Sequence, residues 1–386
     1  MSEPPAVLFV STDYPPRPGG AERHTQRLAE TLWLHGHRVR VLTRSARGVP
    51  GDAGQAPVWR FPVPPAPPWR DVAFALWVAA ELAILRPRYQ IVQWVMTGWQ
   101  VLVGMPVAAA LGMKNILMLA GCGQARLLLE HPRGRMLLDI LRRHADRIVV
   151  LNPAMRQELL DLDFPVERLV TLPCGADPRI FHPCATAERA ALRARWQLAE
   201  DAPVIVFTGR FVDVKRVPDL IDAFARLAAR HPRAMLVLAG DGPLREELAG
   251  RAGVAGLTGR VLFPGMLLPA QVAEVLRLGD VYVLPSASEG IPCSLVEAIA
   301  SGLPSVVSDI PGTAMLVRQG IAGWRVPVGD VPSLAAAIEN LLGDPGARAR
   351  MGAAARALFL ESYTVDHVRQ GYERVYCELV GTEIPA

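Results

Sequence analysis

The sequence predicts an α/β protein made of two successive doubly wound, parallel-sheet domains facing a central cleft. Its 386 residues exceed what one hydrophobic core serves, at roughly 100–200 residues per domain. Short apolar runs alternate with helical stretches, the pattern of a parallel sheet covered on both faces. That alternation stops once, between about 178 and 201, and then begins again.

In the first half, AVLFVST (6–12) reads as a strand. It is followed by the loop DYPPRPGG, a helix from about Ala21 to His35, Gly36 as a stop, and RVRVLT as a second strand. Further strands are expected at 90–95, 115–120, 147–151 and 168–173. The apolar stretches 72–85 and 101–113 fall short of the roughly 20 residues a spanning helix needs, and read as core helices. After the Ala/Arg-rich connection, strands are expected at 203–210, within 234–243, and at 260–265, 281–286 and 304–309. The expected domains are 1–180 and 181–364. A final amphipathic helix, about 365–386 with Val365, Val368, Tyr372 and Tyr376 at helical spacing, is expected to pack back on the first domain.

The chain is 51% hydrophobic and 20% charged, an ordinary globular balance. Its formal charge of +4 is concentrated in residues 1–180, with 21 Arg and Lys against 15 Asp and Glu. This is too weak and scattered for nucleic acid. It suits either a solvated face or peripheral contact with an anionic acceptor or membrane surface, and the basic amphipathic stretch 131–144 offers one such face. Five cysteines without CxxC pairs or zinc spacing fit reduced thiols. No basic segment followed by a leader-length apolar run opens the chain, so the expected location is cytoplasmic, including the inner face of the membrane.

The densest chemical signal is SASEGIPCSLVEAIASGLP, 286–304. Glu289 and Glu297 flank seven residues. Gly290 and Pro292 break the chain after the first carboxylate, and a helix begins near Cys293. The free amides of Cys293, Ser294 and Leu295 and the helix's positive end would favour a phosphate. Glu297, one turn in, can accept from two vicinal hydroxyls, such as those of ribose. Upstream, a strand ends in Arg210, and Lys215 follows five residues later. Cations in the loop after a parallel strand are placed to neutralise a diphosphate. Gly19 and Gly20, in the first strand-to-helix loop, let backbone approach a phosphate or form a plain turn. No GxGxxG follows the first strand, which argues against a nicotinamide cofactor.

GGAERH, PCGAD with RIF (173–181), GR with a following Lys, GDGP, FPG, E-x7-E and GWRVPVGD (323–330) together resemble family 4 of the retaining glycosyltransferases, with the GT-B fold. The resemblance implies that Arg210 and Lys215 hold the donor diphosphate and stabilise the leaving nucleotide. It implies that Glu297 binds ribose, that Glu289 lies against the transferred sugar, and that Gly290, Ile291 and Pro292 touch its hydroxyls. Gly19 and Gly20 would close on the phosphates. Neither metal nor cofactor is implied; the partners are a nucleoside diphosphate sugar and a glycan, lipid-linked or small-molecule acceptor, as in bacterial polysaccharide or glycoconjugate biosynthesis.

The sequence departs from that pattern in the first half. Gln93-Trp94-Val95 and Ala120-Gly121 stand where relatives carry histidine, and Cys174 stands where asparagine is commoner. Gly121, Gly123 and Arg126 either line the sugar pocket or, for Arg126, start a surface helix. His24 either approaches the donor or is structural. Trp69, Trp94 and Trp99 either form an acceptor platform or pack in the core. Two other readings remain at this level: a weakened nucleotide-sugar-binding partner subunit, motivated by the missing histidine, and a GT-B nucleotide-sugar epimerase.

Overall fold

The computed structural model describes residues 3–16, 19–45, 54–62 and 69–383. The chain divides into two compact units, Met1–Gly175 with Val365–Ala386, and Ala176–Thr364. Among the described residues, the first carries seven parallel strands: β1 (Val7–Ser11), β2 (Val39–Arg44), β3 (Val58–Phe61), β4 (Ile91–Val95), β5 (Lys114–Met118), β6 (Arg147–Val150) and β7 (Leu169–Thr171). Their spatial order is β3-β2-β1-β4-β5-β6-β7, so the strand order reverses between β1 and β4. Val7 pairs with Val39 on one side and Ile91 on the other. β1 and β4 are buried along their whole length, which is why they appear in the sequence as mainly apolar runs, with Gln93 the polar residue inside β4.

β3 is absent from the sequence reading. It is a four-residue, half-exposed edge strand, too short and too mixed to carry a periodic signal. The two apolar stretches form the helices Trp69–Leu85 and Trp99–Ala110, which bury Phe74, Val78, Leu82, Val101 and Met105. No described helix is long and apolar enough to cross a membrane. Trp94 lies fully in this core, its Nε1 donating to Asn115 Oδ1 at 2.8 Å, and is therefore no acceptor platform.

The last helix, Val365–Val380, places Val368, Tyr372, Val375 and Tyr376 in the same core as Val7, Phe9, Leu28 and Leu32. Polar contacts fix its register. The Tyr372 hydroxyl lies 3.3 Å from His24 Nε2, Tyr376 donates to Gln93 Oε1 at 3.2 Å, and Glu373 meets His37 Nε2 at 2.9 Å. Of the two readings of His24, this is the structural one, and Gln93 serves the core in the same way.

Burial lowers the His24 imidazole to about 4 from 6.5, with the nearby Arg27 cation adding to the effect. The unfolded chain therefore takes up a proton that the folded chain refuses. This contribution to stability is complete above pH 6.5 and is lost as pH falls toward 4, by on the order of 3 kcal/mol. Urea titrations from pH 7 to 4 should show that decline, and His24→Gln should flatten it.

The second unit carries β8 (Val204–Thr208), β9 (Met235–Ala239), β10 (Val261–Gly265), β11 (Val281–Leu284), β12 (Ser305–Ser308) and β13 (Gly323–Val326). All pairs are parallel, in the order β10-β9-β8-β11-β12-β13. The reversal falls between β8 and β11. The Ala/Arg-rich connection forms the helix Thr186–Arg195, held to this sheet where Arg189 and Arg193 grip Asp280 at 2.6 and 2.8 Å. β13 also escaped the sequence reading, because its Gly-Trp-Arg start lacks an apolar run. Gly323 is required there: at φ +153°, a Cβ would sit 1.9 Å from Ser305 O.

Candidate active site

In an open parallel sheet, the crevice for a ligand forms outside the carboxyl ends of the strands where their order reverses. In the second unit that place lies between the loops leaving β8 and β11, and these two loops carry the charged residues singled out by the sequence. After β8 the chain runs through Gly209 and the exposed Arg210, makes a 3₁₀ turn at Asp213–Lys215, passes Arg216 in the left-handed region (φ 49°), and enters the helix Val217–Ala228. After β11 it passes Ser286 and Glu289 and enters the helix Cys293–Ala300.

The loops are stitched together. Ala287 N donates to Val214 O at 2.8 Å, and Lys215 Nζ lies 2.5 Å from Glu289 Oε1. Both side chains of this pair are more than four-fifths buried. Screening by water is reduced at such a site, so the ammonium and the carboxylate fix each other's position.

Glycines brace both loops by allowing backbone to lie on backbone. A Cβ on Gly240 would stand 1.8 Å from Gly209 O, and one on Gly242 would stand 2.5 Å from Phe211 O. The GDGP turn instead accepts the Phe211 amide on Asp241 O at 2.9 Å. On the other side, a Cβ on Gly312 would meet Gly290 O at 2.4 Å and Glu289 O at 2.5 Å. The sequence reading missed Gly312, and took GDGP as a motif without its mechanical role.

The structure departs from expectation at the helix start. Leu295 N donates to Pro292 O at 3.0 Å, so the first turn is tightened and that amide is already used. Of the three amides expected to be free for a phosphate, Leu295 is withdrawn. Gly290, Ile291 and Pro292 are buried, while Cys293 and Ser294 are half-buried. Glu297 is 2% exposed, one turn inside the helix.

Tyr282 on β11 is a further participant that sequence reasoning missed. Its hydroxyl donates to Thr208 O at 3.4 Å. Burial above all pushes this phenol well up; the carboxylates of Glu297 and Glu289 push the same way, against hydrogen bonds with Ser294 and Thr208. The proton therefore stays on Tyr282, which ties the end of β8 to the helix carrying Glu297. A buried hydroxyl nearby, Ser286 Oγ, lacks a hydrogen-bond partner among the described residues. Buried polar groups left unsatisfied are uncommon and need a reason, such as a ligand.

The remaining candidates belong to the first unit. Gly19 is extended and precedes the helix Gly20–Leu34 at the carboxyl end of β1. Gly123 is left-handed at φ 77° and starts the short helix Gln124–Leu129, its amide donating to Glu158 Oε2 at 2.9 Å. Gly121 is half-buried just before it. Arg126 is turned to Asp161 at 2.7 Å with its side chain 63% exposed, the geometry of a surface helix start. Trp99 is covered by the Arg133 guanidinium at 4.6 Å, and Trp69 is 72% exposed.

Residues 18–180 match the family model described as Glycosyltransferase Family 4, and residues 188–358 match that described as Glycosyl transferases group 1. The chain is 32% identical over 238 residues to alpha-D-kanosaminyltransferase of Streptomyces kanamyceticus, covering 61% of each chain. It is 32% identical over 248 residues to D-inositol 3-phosphate glycosyltransferase of Nocardia farcinica, covering 61% of this chain and 54% of that one. The matched segments thus span less than two thirds of these relatives. Among solved structures, HepE of Anabaena in complex with UDP and glucose has a TM-score of 0.80 at 20% identity, covering 96% of this chain and 98% of its own. Sucrose-phosphate synthase of Thermosynechococcus elongatus gives 0.83 at 21% identity, covering 98% and 99%. At that identity the likeness carries the fold.

Proposed function

From the premise that this chain belongs to the GT-B glycosyltransferases, we propose that it moves a sugar from a nucleoside diphosphate sugar to an acceptor hydroxyl with retention of anomeric configuration. One observation carries the reading: the Lys215–Glu289 pair joins the loops of β8 and β11 where the sheet order reverses, with Arg210 on one loop and buried Glu297 behind the other. Two cations suit a diphosphate, and a carboxylate held inside a helix suits the two hydroxyls of a ribose. The complex of HepE with UDP and glucose is of this chemical class.

Breaking the anomeric bond leaves positive charge on the sugar and negative charge on the departing phosphate. Arg210 and Lys215 stabilise the second, while Glu289, beside Lys215, offers its carboxylate to the first. The acceptor oxygen bonds to the anomeric carbon on the face the phosphate leaves, and its proton passes to a phosphate oxygen. Glu289 thereby positions and stabilises without forming a bond. The first unit takes up the acceptor, a glycan, a lipid-linked saccharide or a small molecule.

The test is a panel of nucleoside diphosphate sugars, screened by thermal shift and then assayed for transfer, since a ligand bound only by the folded chain raises apparent stability by mass action. A saturable shift followed by turnover supports the reading; no shift with any donor contradicts it. In this account the protein's cations supply the charge at the diphosphate, so turnover should persist in excess EDTA. Glu297→Gln keeps the shape but weakens the ribose contact, and should raise donor KM about 10- to 100-fold with a smaller change in kcat.

A further inference from the structure

At the opposite edge of the first unit's sheet, where β1, β2, β4 and β5 begin, a hollow of about 800 Å³ opens. Ala6, Arg38, Gln90 and Met113, which line it, precede those four strands directly. Ligands of the sheet's own crevice bind at the carboxyl ends, so this hollow is separate from that crevice. Its volume falls within the range of small-molecule sites.

Its charge is unbalanced. Arg38, Arg86 and Arg88 line it, all exposed, and none has a carboxylate partner among the described residues. One carboxylate, the exposed Glu3, sits on the rim. Tyr89 reports the local field: burial pushes its phenol up, and the guanidiniums of Arg40, Arg38 and Arg88 pull it back. Elsewhere in the chain arginines are commonly matched, as with Arg189 and Arg193 on Asp280 or Arg251 on Asp222. Three guanidiniums against one carboxylate leave an excess of positive charge at the hollow, which a bound polyanion would relieve; Arg86 Nε donates to Leu111 O at 3.0 Å. Trp33, 39% exposed at the same hollow, adds a flat apolar surface.

We infer that this hollow binds a di- or triphosphate anion, with Arg38, Arg86 and Arg88 as its forks, at a site separate from the donor crevice. Guanidinium groups take phosphate oxygens in pairs, and a phosphate chain can span several of them. The phosphates can be inorganic or belong to a nucleotide whose base lies on Trp33.

Isothermal titration of the full chain with sodium tripolyphosphate at low ionic strength tests this. The expected result is a site that persists in Lys215→Ala and is weakened at least about ten-fold in Arg38→Ser/Arg88→Ser. Because these arginines are exposed, that variant should keep its circular dichroism and melting temperature; Arg86→Ser/Arg88→Ser provides a second pair. In the Lys215→Ala background, a nucleoside triphosphate that binds tighter than tripolyphosphate, and loses the advantage in Trp33→Ala, identifies a nucleotide; equal affinity identifies the inorganic anion. Absence of binding overturns the inference, as does binding that vanishes in Lys215→Ala but survives in both arginine pairs.

Discussion

Replacing Lys215 with alanine is expected to lower kcat by about 10²- to 10³-fold, the usual cost of removing one preorganised electrostatic group from a transition state. The ammonium sits 2.5 Å from Glu289 in a largely buried pair, between the two loops that leave the sheet at its reversal. Its removal takes positive charge from the departing phosphate and also takes the ammonium away from Glu289 in a poorly solvated place. Fold should persist, since Lys215 lies in a loop and the Ala287–Val214 backbone bond still joins the two segments. Lys215→Arg should recover part of the activity, because charge returns with a different reach. Steady-state kinetics with circular dichroism separates these effects; a kcat within ten-fold of wild type in Lys215→Ala would contradict the assigned role.

Gly240→Ala should be the most disruptive small substitution in the second unit. Gly240 holds φ +151°, a conformation L side chains rarely adopt, and the added Cβ would lie 1.8 Å from Gly209 O. The nearest atoms are all Gly209 backbone, with no flexible side-chain end among them, so the backbone must part. A loss of about 3 kcal/mol or more is expected, within the range for strain at special backbone positions. The separation would fall at the loop that presents Arg210, so donor binding should fail along with stability. Gly250→Ala is the control: a Cβ there meets nothing within 4 Å. Equal melting midpoints for the two variants would show that the close approach of the turns does not brace the site.

The two doubly wound sheets were legible because parallel strands buried on both faces leave mainly apolar runs, as in β1, β4, β8 and β11. β3 and β13 were not, since short edge strands beginning Val-Trp-Arg or Gly-Trp-Arg need no such run. The chemistry of the site was legible where it lay in one stretch: two carboxylates eight positions apart around a loop-to-helix turn, and a lysine soon after a strand-ending arginine. What joins the stretches was not. Lys215 and Glu289 are 74 positions apart and meet through the order of β8 and β11. Gly312 matters through a backbone it approaches in space, and Tyr282 through hydroxyl contacts that a buried strand aromatic does not announce. The used amide of Leu295 depends on how tightly one turn is wound, which residue identities alone leave open.

The central claim is that Arg210, Lys215 and Glu297 surround one nucleoside diphosphate. A crystal structure of the full chain soaked with the diphosphate of whichever donor the thermal screen selects tests it most directly. The account predicts phosphate oxygens within hydrogen-bond reach of Arg210 and Lys215, with both ribose hydroxyls on the Glu297 carboxylate. A diphosphate seated elsewhere, with those three side chains uncontacted, would contradict it.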